Sequence, residues 1–191
     1  PCISGSWGSG TVFFSGCPLG CSFCQNHLIS RQGAGRAVTI PQLAGIFRSL
    51  ERQQVHNLNL VTAGHWRPWV QQALCLAKRQ GFALPVVWNT GGYETQQAIT
   101  ALRQDVDIWL TDLKFYNSQL AQQLASAPHY FKIASAAAQA MCRQAGPPVF
   151  GSDGLLRRGV VLRLLVLPGR RQDAENILRW AAKNLPPGGF R

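Results

Sequence analysis

The stretch CPLGCSFCQN, residues 17–26, carries Cys17, Cys21 and Cys24 at the spacing Cys-x3-Cys-x2-Cys, directly after the apolar run TVFF of residues 11–14. This order predicts a β-strand that leads into a short loop with three sulfur ligands. Thiolates select zinc, copper(I) or iron–sulfur clusters. A cubane [4Fe–4S] cluster normally takes four cysteine thiolates, so three thiolates would leave one iron open. An open metal position is what a catalytic centre needs.

A zinc knuckle, or a disulfide with one spare thiol, would use the same cysteines differently. Zinc would need a fourth ligand, for which His27 is close in sequence, but zinc sites usually combine two pairs, as Cys-x2-Cys…Cys-x2-Cys or Cys-x2-Cys…His-x3-His. The other three cysteines are scattered, at positions 2, 75 and 142. This arrangement does not indicate a disulfide framework, and we expect a reducing, cytoplasmic compartment.

Length and composition predict one globular domain over residues 1–191. The 46% of hydrophobic residues argues against disorder. No apolar stretch approaches the ~20 residues of a membrane helix, and residues 1–5 do not begin a signal peptide, so we expect no membrane partner. The net charge of +11 suits nucleic acid, but the basic residues are spread along the chain and adjoin only in pairs, so a nucleic-acid partner is not expected.

Short apolar strands alternate with helical patterns along the whole chain. Strands are predicted near residues 11–14, 57–62, 85–90, 107–114 and 159–167, and helices near residues 40–50, 68–80, 98–102, 118–124, 130–144 and 172–185. Repeated βα units predict an α/β fold with a parallel sheet. Residues 186–191 read as a loop that is about to enter another strand. We therefore expect a partial (β/α) barrel that stops before its sixth strand and is incomplete at both termini.

Polar side chains recur where the predicted strands end. Parallel strands bring their carboxyl ends to one edge, where α/β sites assemble. Because side chains alternate along a strand, Asp112 and Lys114 should share one face with Leu110, while Thr111 faces the other way. The candidates at this edge are Thr62, Asn89, Thr90, Asp112 and Lys114, with His65 in the loop after the second strand.

The cysteine spacing, with Phe23 just before the third cysteine, resembles the radical S-adenosylmethionine (SAM) enzymes. The segments NTGGY at 89–93, LTDLK at 110–114 and RLLVLPG at 163–169 are similar to the activating enzymes of pyruvate formate-lyase and their uncharacterised homologues. The resemblance implies a radical SAM type of barrel. It also implies a [4Fe–4S] cluster on the three cysteines, whose open iron chelates SAM, with Phe23 and Asn26 beside the cofactor.

The same resemblance places further residues at SAM and the substrate. They are Thr62, Asn89, Thr90, Asp112, Lys114 and Arg163. In the activating enzymes a monovalent cation lies between the third strand, the Asp that matches Asp112 and the SAM carboxylate. Asn89 stands where that family has Asp, which removes one anionic ligand.

Residues 62–65 read TAGH, where radical SAM enzymes commonly have Gly-Gly-Glu to receive the SAM amino group.

The implied activity is reductive cleavage of SAM to a 5′-deoxyadenosyl radical that abstracts hydrogen from a substrate. The implied substrate is a glycine of a glycyl-radical enzyme or another peptide, and the implied electron donor is reduced flavodoxin or ferredoxin. Two alternatives stay open. One is a radical SAM modifier of RNA, against which the lack of a recognisable RNA-binding module counts. The other is a non-catalytic electron-transfer protein, for which Cys2 is the nearby candidate as a fourth ligand.

Overall fold

The computed structural model describes residues 2–191, so the first residue of the predicted 1–191 domain lies outside the described part. The elements in chain order are β1 (Gly10–Phe13), α1 (His27–Ser30), α2 (Ile40–Arg52), β2 (Leu58–Val61), a 3₁₀ turn (Gly64–Trp66), α3 (Arg67–Arg79), β3 (Val86–Thr90), α4 (Gln96–Ala101), β4 (Ile108–Leu113), α5 (Ser118–Ala125), α6 (Tyr130–Ala145), β5 (Val149–Phe150), β6 (Leu156–Leu164) and α7 (Arg171–Asn184). None of the helices in this range has the length and apolarity needed to cross a membrane.

The sheet has the strand order β1-β2-β3-β4-β6-β5. Every neighbouring pair from β1 to β6 is parallel, and only β5 runs antiparallel to β6. The predicted α/β fold with a parallel sheet is therefore confirmed. Within residues 2–191 the strands form an open row in which β1 does not pair with β5, so a barrel is not shown.

Residues 145–158 depart from the predicted loop, because β5 and the start of β6 lie there. A two-residue strand is too short to give a periodic pattern, and Val149 and Phe150 are both exposed. Beyond β5, the edge of β6 pairs with the last residue. The N–H of Arg191 donates to the carbonyl of Val160 at 2.9 Å, and its carbonyl accepts from the N–H of Leu162 at 2.8 Å, which is the pattern of parallel pairing.

Alternation along the strands gives the sheet two different faces. The helix face carries Leu60, Trp88 and Trp109 in the main core, where the α-helices pack. The opposite face carries a smaller cluster of Val87, Ile108, Leu110 and Leu156, against which Ile3 and Val161 pack. Burial on both faces explains why the strands read as nearly continuous apolar runs.

The N-terminal segment covers the lower part of the opposite face. The side chain of Asn57 donates to the carbonyl of Ile3 at 2.5 Å, and the N–H of Leu156 donates to the carbonyl of Cys2 at 2.7 Å. Both contacts lie where β2 and β6 begin. The carboxyl ends of the strands, where the cysteine loop starts, are at the other edge of the sheet.

Gly92 allows the chain after β3 to pass against β4. Its φ is +81°, and a Cβ atom here would lie 2.3 Å from the carbonyl oxygen of Asp112. We expect Gly92→Ala to lower the free energy of unfolding by about 3 kcal/mol, from the strained φ and the overlap together. The control is Gly81→Ala, because Gly81 has φ +89° with no neighbour within 4 Å of that Cβ position. Urea unfolding measures both variants, and equal losses would contradict the role of the overlap.

Candidate functional site

The cysteine loop is held against the end of α5 by main-chain hydrogen bonds. The N–H of Gly20 donates to the carbonyl of Ala125, and the N–H of Ser22 donates to the carbonyl of Leu124, both at 2.8 Å. The last carbonyls of a helix have no hydrogen-bond partner within the helix. Here the N–H groups of the cysteine loop are the donors to two of these carbonyls. The loop is thereby fixed at the carboxyl edge of the sheet.

The three cysteines of the loop are free, partly exposed thiols. Burial raises the pKa of Cys17 and of Cys21, repulsion from neighbouring thiolates raises both further, and the charge of Lys114 lowers both. The thiols are therefore close enough to influence one another's ionisation. Thiols of this kind keep their protons until a cationic centre replaces them, which fits a metal cluster.

Among the described residues, the side chains as placed do not form a site for a single metal ion. Among residues 2–191 no three His, Cys, Asp or Glu side chains are grouped closely enough to hold one. A zinc knuckle would need four ligands that meet at one ion. A cubane offers a different iron to each thiolate, so its three ligands need not meet at one point.

Cys2 lies at the wrong edge of the sheet to be a fourth ligand. Its carbonyl is bonded to Leu156 at the start of β6, whereas Arg163 near the end of β6 marks the edge that carries the cysteine loop. At the rise of a β-strand, those two positions are about 20 Å apart. The non-catalytic alternative with Cys2 as a fourth ligand is not supported by this placement.

Four of the candidate residues meet on the opposite face of the sheet, at its carboxyl edge. Lys114 Nζ lies 2.6 Å from Asp112 Oδ2, and Arg163 Nε donates to Asp112 Oδ1 at 2.6 Å. Arg163 Nη2 also donates to Asn89 Oδ1 at 2.8 Å. The sheet register places Asp112 directly beside Arg163, so three neighbouring strands each contribute to this cluster. We call these four residues the edge cluster.

The edge cluster has more positive than negative charge. Asp112 is buried, with both carboxylate oxygens engaged by protein cations, while the side chain of Arg163 is 47% exposed. A monovalent cation at Asp112 would have to share the carboxylate with Lys114 and Arg163 and would be repelled by both, so this arrangement does not favour the predicted cation site. An anionic group that approached Arg163 would instead be attracted.

Thr62 and Thr90 face a separate cavity on the helix side. The cavity has a volume of about 440 Å³ and is also lined by Cys17, Arg67 and Glu94. Thr90 Oγ1 donates to Glu94 Oε1 at 2.9 Å. Asn89 and Thr90 are adjacent in β3, so their side chains must point to different faces, and the predicted candidates divide into two groups.

The remaining candidates lie around the cysteine loop. The ring of Phe23 packs edge-on against Phe115 at a centroid distance of 6.2 Å, just beyond the end of β4. Asn26 is exposed and precedes α1, with no side-chain hydrogen bond to that helix. His65 Nε2 lies 2.7 Å from the carbonyl oxygen of Ser15, so His65 supports the chain that enters the loop.

Tyr130 was missed by the sequence analysis. Its hydroxyl accepts from the N–H of Lys114 at 3.0 Å, and it lies 2.8 Å from the carbonyl of Gly91 and 3.0 Å from that of Asp112. The hydroxyl therefore ties the ends of β3 and β4 together behind the edge cluster. One tyrosine at the start of a helix gives no signal of this role.

Glu94 was also missed. Burial raises the pKa of its carboxyl, against hydrogen bonds from Thr90 and Trp88 and the charges of Arg67 and His65 that lower it. The sequence did contain a signal for Glu94. It comes just after a predicted apolar strand, and the chain has only eight acidic residues, so each one at a strand end is a candidate for the site.

We predict that Glu94→Gln removes a pH dependence of stability. A raised pKa means that the folded state holds the proton more tightly than the unfolded state. That contribution is complete below the usual value of 4.5 and is lost as the pH rises through the raised pKa. As the pH rises through this range, the melting temperature of the wild type should fall relative to that of Glu94→Gln. The control Glu175→Gln, on the surface of α7, should not show that trend, and a parallel course for Glu94→Gln and wild type would contradict the prediction.

Comparison with known proteins agrees with the cysteine loop. Residues 4–129, about two thirds of the chain, match the family described as "4Fe-4S single cluster domain", which is found in radical SAM-related proteins. The chain is 33% identical over 132 residues to an uncharacterised protein of Methanocaldococcus jannaschii, and the match covers 65% of this chain and 38% of that protein. The chain thus spans well under half of the length of this relative. By the match over residues 4–129, the chain belongs to the 4Fe-4S single cluster domain family.

Proposed function

We propose that the chain is the radical SAM domain of an enzyme that resembles the activating enzymes of pyruvate formate-lyase. The observation that carries the proposal is the meeting of a three-thiol loop and a cationic polar cluster at one edge of a parallel sheet. When bound and reduced by one electron, a [4Fe–4S] cluster supplies the electron that cleaves SAM into methionine and a 5′-deoxyadenosyl radical, which takes a hydrogen atom from the substrate.

In this proposal Cys17, Cys21 and Cys24 hold the cluster. Their thiols must lose protons to bind iron, and burial disfavours free thiolates at Cys17 and Cys21. Cluster binding should therefore release protons and become weaker as the pH falls. The charge of Lys114 favours the thiolate form of both residues, which links the edge cluster electrostatically to the cysteine loop.

The edge cluster binds the charged end of SAM. Lys114 and Arg163 together carry one positive charge more than Asp112 can neutralise, and the carboxylate of SAM supplies the missing negative charge. Asp112 holds both cations at fixed positions, because a buried carboxylate must keep its partners. Phe23, supported by Phe115, offers an aromatic ring to the adenine.

The proposed substrate is a protein segment, with a glycine of a glycyl-radical enzyme as the closest precedent in the resemblance. The net charge of +11 favours association with an acidic partner. The N-terminal segment covers the lower part of the opposite face, whereas Arg163 of the edge cluster is about half exposed at the carboxyl edge of the sheet. A partner segment that covers this edge would exclude water from the radical.

The first test of the proposal concerns the cluster. Anaerobically reconstituted wild-type protein should contain about four irons and four sulfides, measured by iron and sulfide analysis and by absorption spectroscopy. Cys17→Ala, Cys21→Ala and Cys24→Ala should each lose the cluster, because each thiolate holds one iron. The matched controls Cys2→Ala and Cys75→Ala should keep it. Loss of the cluster in Cys2→Ala would instead support the four-cysteine, non-catalytic alternative.

The second test concerns SAM. Reduced wild-type protein should convert SAM to 5′-deoxyadenosine, even slowly and without a substrate. Asp112→Ala should weaken SAM binding at least about tenfold, which corresponds to about 1.4 kcal/mol, because Lys114 and Arg163 lose the group that positions them. Equilibrium dialysis of the cluster-loaded protein measures this, with Asp153→Ala as the control, since Asp153 pairs with Arg157 on the surface. Unchanged affinity in Asp112→Ala would remove Asp112 from the site.

A further inference from the structure

Two exposed tryptophans lie together beside the cysteine loop. Trp66 is 42% exposed and Trp69 is 50% exposed, and their rings contact edge-to-face at 5.6 Å. His65 packs on Trp66 at 5.5 Å. We call His65, Trp66 and Trp69 the aromatic patch. Exposed tryptophans in contact with one another are uncommon on a surface that only meets water, and tryptophan is enriched among the residues that dominate binding energy at protein interfaces.

The aromatic patch is attached to the chain that leads into the cluster ligands. Trp66 Nε1 donates to the carbonyl of Ser15 at 2.9 Å, and His65 Nε2 lies 2.7 Å from the same oxygen. A Cβ atom on Gly16 would lie 2.9 Å from His65 Nε2. The patch thus touches the two residues that directly precede Cys17.

The surroundings of the patch are cationic. Residues 1–93 contain seven Lys and Arg residues but one acidic residue, Glu51. The next acidic residue, Glu94, lies near His65 and Arg67 and offsets part of their charge, but it faces the helix-side cavity and is hydrogen-bonded by Thr90. Glu51 pairs with Arg48 and accepts the N–H of Ala83, at the far edge of the sheet, where β3 begins. Around the patch, Arg67 lies between the two tryptophans in sequence. The loop of residues 31–36, with exposed Arg31 and Arg36, is bonded to Ser15 through the Ala34 carbonyl.

We propose that the aromatic patch and its arginines form the docking site of the electron donor, an acidic one-electron carrier protein. The inference rests on the proposed function, because only a cluster that is reduced from outside needs such a partner. The donor gives up one electron and the cluster gains it, with no bond formed or broken between the two proteins. Acidic groups on the donor would pair with the arginines, and an apolar surface around its redox centre would cover the tryptophans.

The position of the patch distinguishes the donor from the substrate. Trp69 belongs to α3, which packs on the helix face of the sheet through Val70 and Leu74. The edge cluster, where SAM would bind, lies on the opposite face. A substrate must reach the SAM that is bound on the opposite face. An electron donor needs only to approach a cysteine that holds the cluster, such as Cys17.

The test compares two reductants of the cluster-loaded protein in a stopped-flow spectrometer. Reduced ferredoxin and reduced flavodoxin need the docking site, whereas dithionite is too small to need it. Trp69→Ala and Arg36→Glu should each slow reduction by the protein donors about fivefold or more at low salt, and added salt should reduce the difference for Arg36→Glu. All variants should react with dithionite at the wild-type rate. The matched controls Leu178→Ala and Arg179→Glu, at exposed positions of α7, should stay within about twofold of wild type with every reductant.

The other outcomes overturn the docking proposal in identifiable ways. Wild-type rates of Trp69→Ala and Arg36→Glu with both protein donors would show that the donor binds elsewhere. Equal slowing with dithionite would show that the variants disturb the cluster rather than docking. Normal reduction, combined with slower hydrogen transfer from a protein substrate, would assign the patch to the substrate. A protein that loads no cluster, or that forms no 5′-deoxyadenosine after dithionite reduction, would overturn the proposed function itself.

Discussion

The buried carboxylate of Asp112 is the constraint on which the carboxyl edge of the sheet depends. A buried charge without partners is costly, and here Lys114 and Arg163 satisfy one carboxylate oxygen each. The ion pairs join the end of β4 to β6, and the bond from Arg163 to Asn89 extends the connection to β3. Tyr130 fixes the main chain behind them. Substitution of Lys114 or Arg163 would leave one oxygen of the buried carboxylate without its charged partner.

The cysteine loop connects the two faces that the sheet keeps apart. Cys17 lines the helix-side cavity with Thr90 and Glu94, whereas Cys21 is close enough to the edge cluster for Lys114 and Asp112 to affect its pKa. A cluster held by this loop would therefore lie at the top of the sheet, between a cationic site on one face and a cavity on the other. This placement is consistent with one ligand on the opposite face and electron entry near the helix face.

The sequence predicted the parallel strands and the larger helices because each has a strong local signal. The helix α2 is an example: Thr39 and Gln42 form a reciprocal cap at its start, and such a cap can be detected from residue types alone. The short elements β5 and α1 have no such signal. The gathering of Asn89, Asp112 and Lys114 followed from the rule that parallel strands end at one edge, whereas Arg163 was implied only by the family resemblance. That Asp112 takes two protein cations depends on the register between β4 and β6, which no local pattern contains. Tyr130 was missed for the same reason, since its partners are 16 to 39 residues away in sequence. Glu94 has partners close in sequence, Thr90 and Trp88, but no residue pattern indicates that its carboxyl turns back toward β3.

The distribution of apolar and polar residues on the opposite face limits how a substrate can reach the proposed site. Below the edge cluster, Leu110 and Ile108 are buried with Ile3 from the N-terminal segment. Above that cluster, Arg163 is half exposed, so approach is from the strand ends.

A radical formed there would be open to solvent unless something covers the edge, and water must be kept from such an intermediate. A small metabolite would leave most of the edge uncovered, whereas a protein segment that pairs with the exposed cations would cover it. The geometry of the edge therefore favours a protein as the proposed substrate more strongly than the net charge alone does.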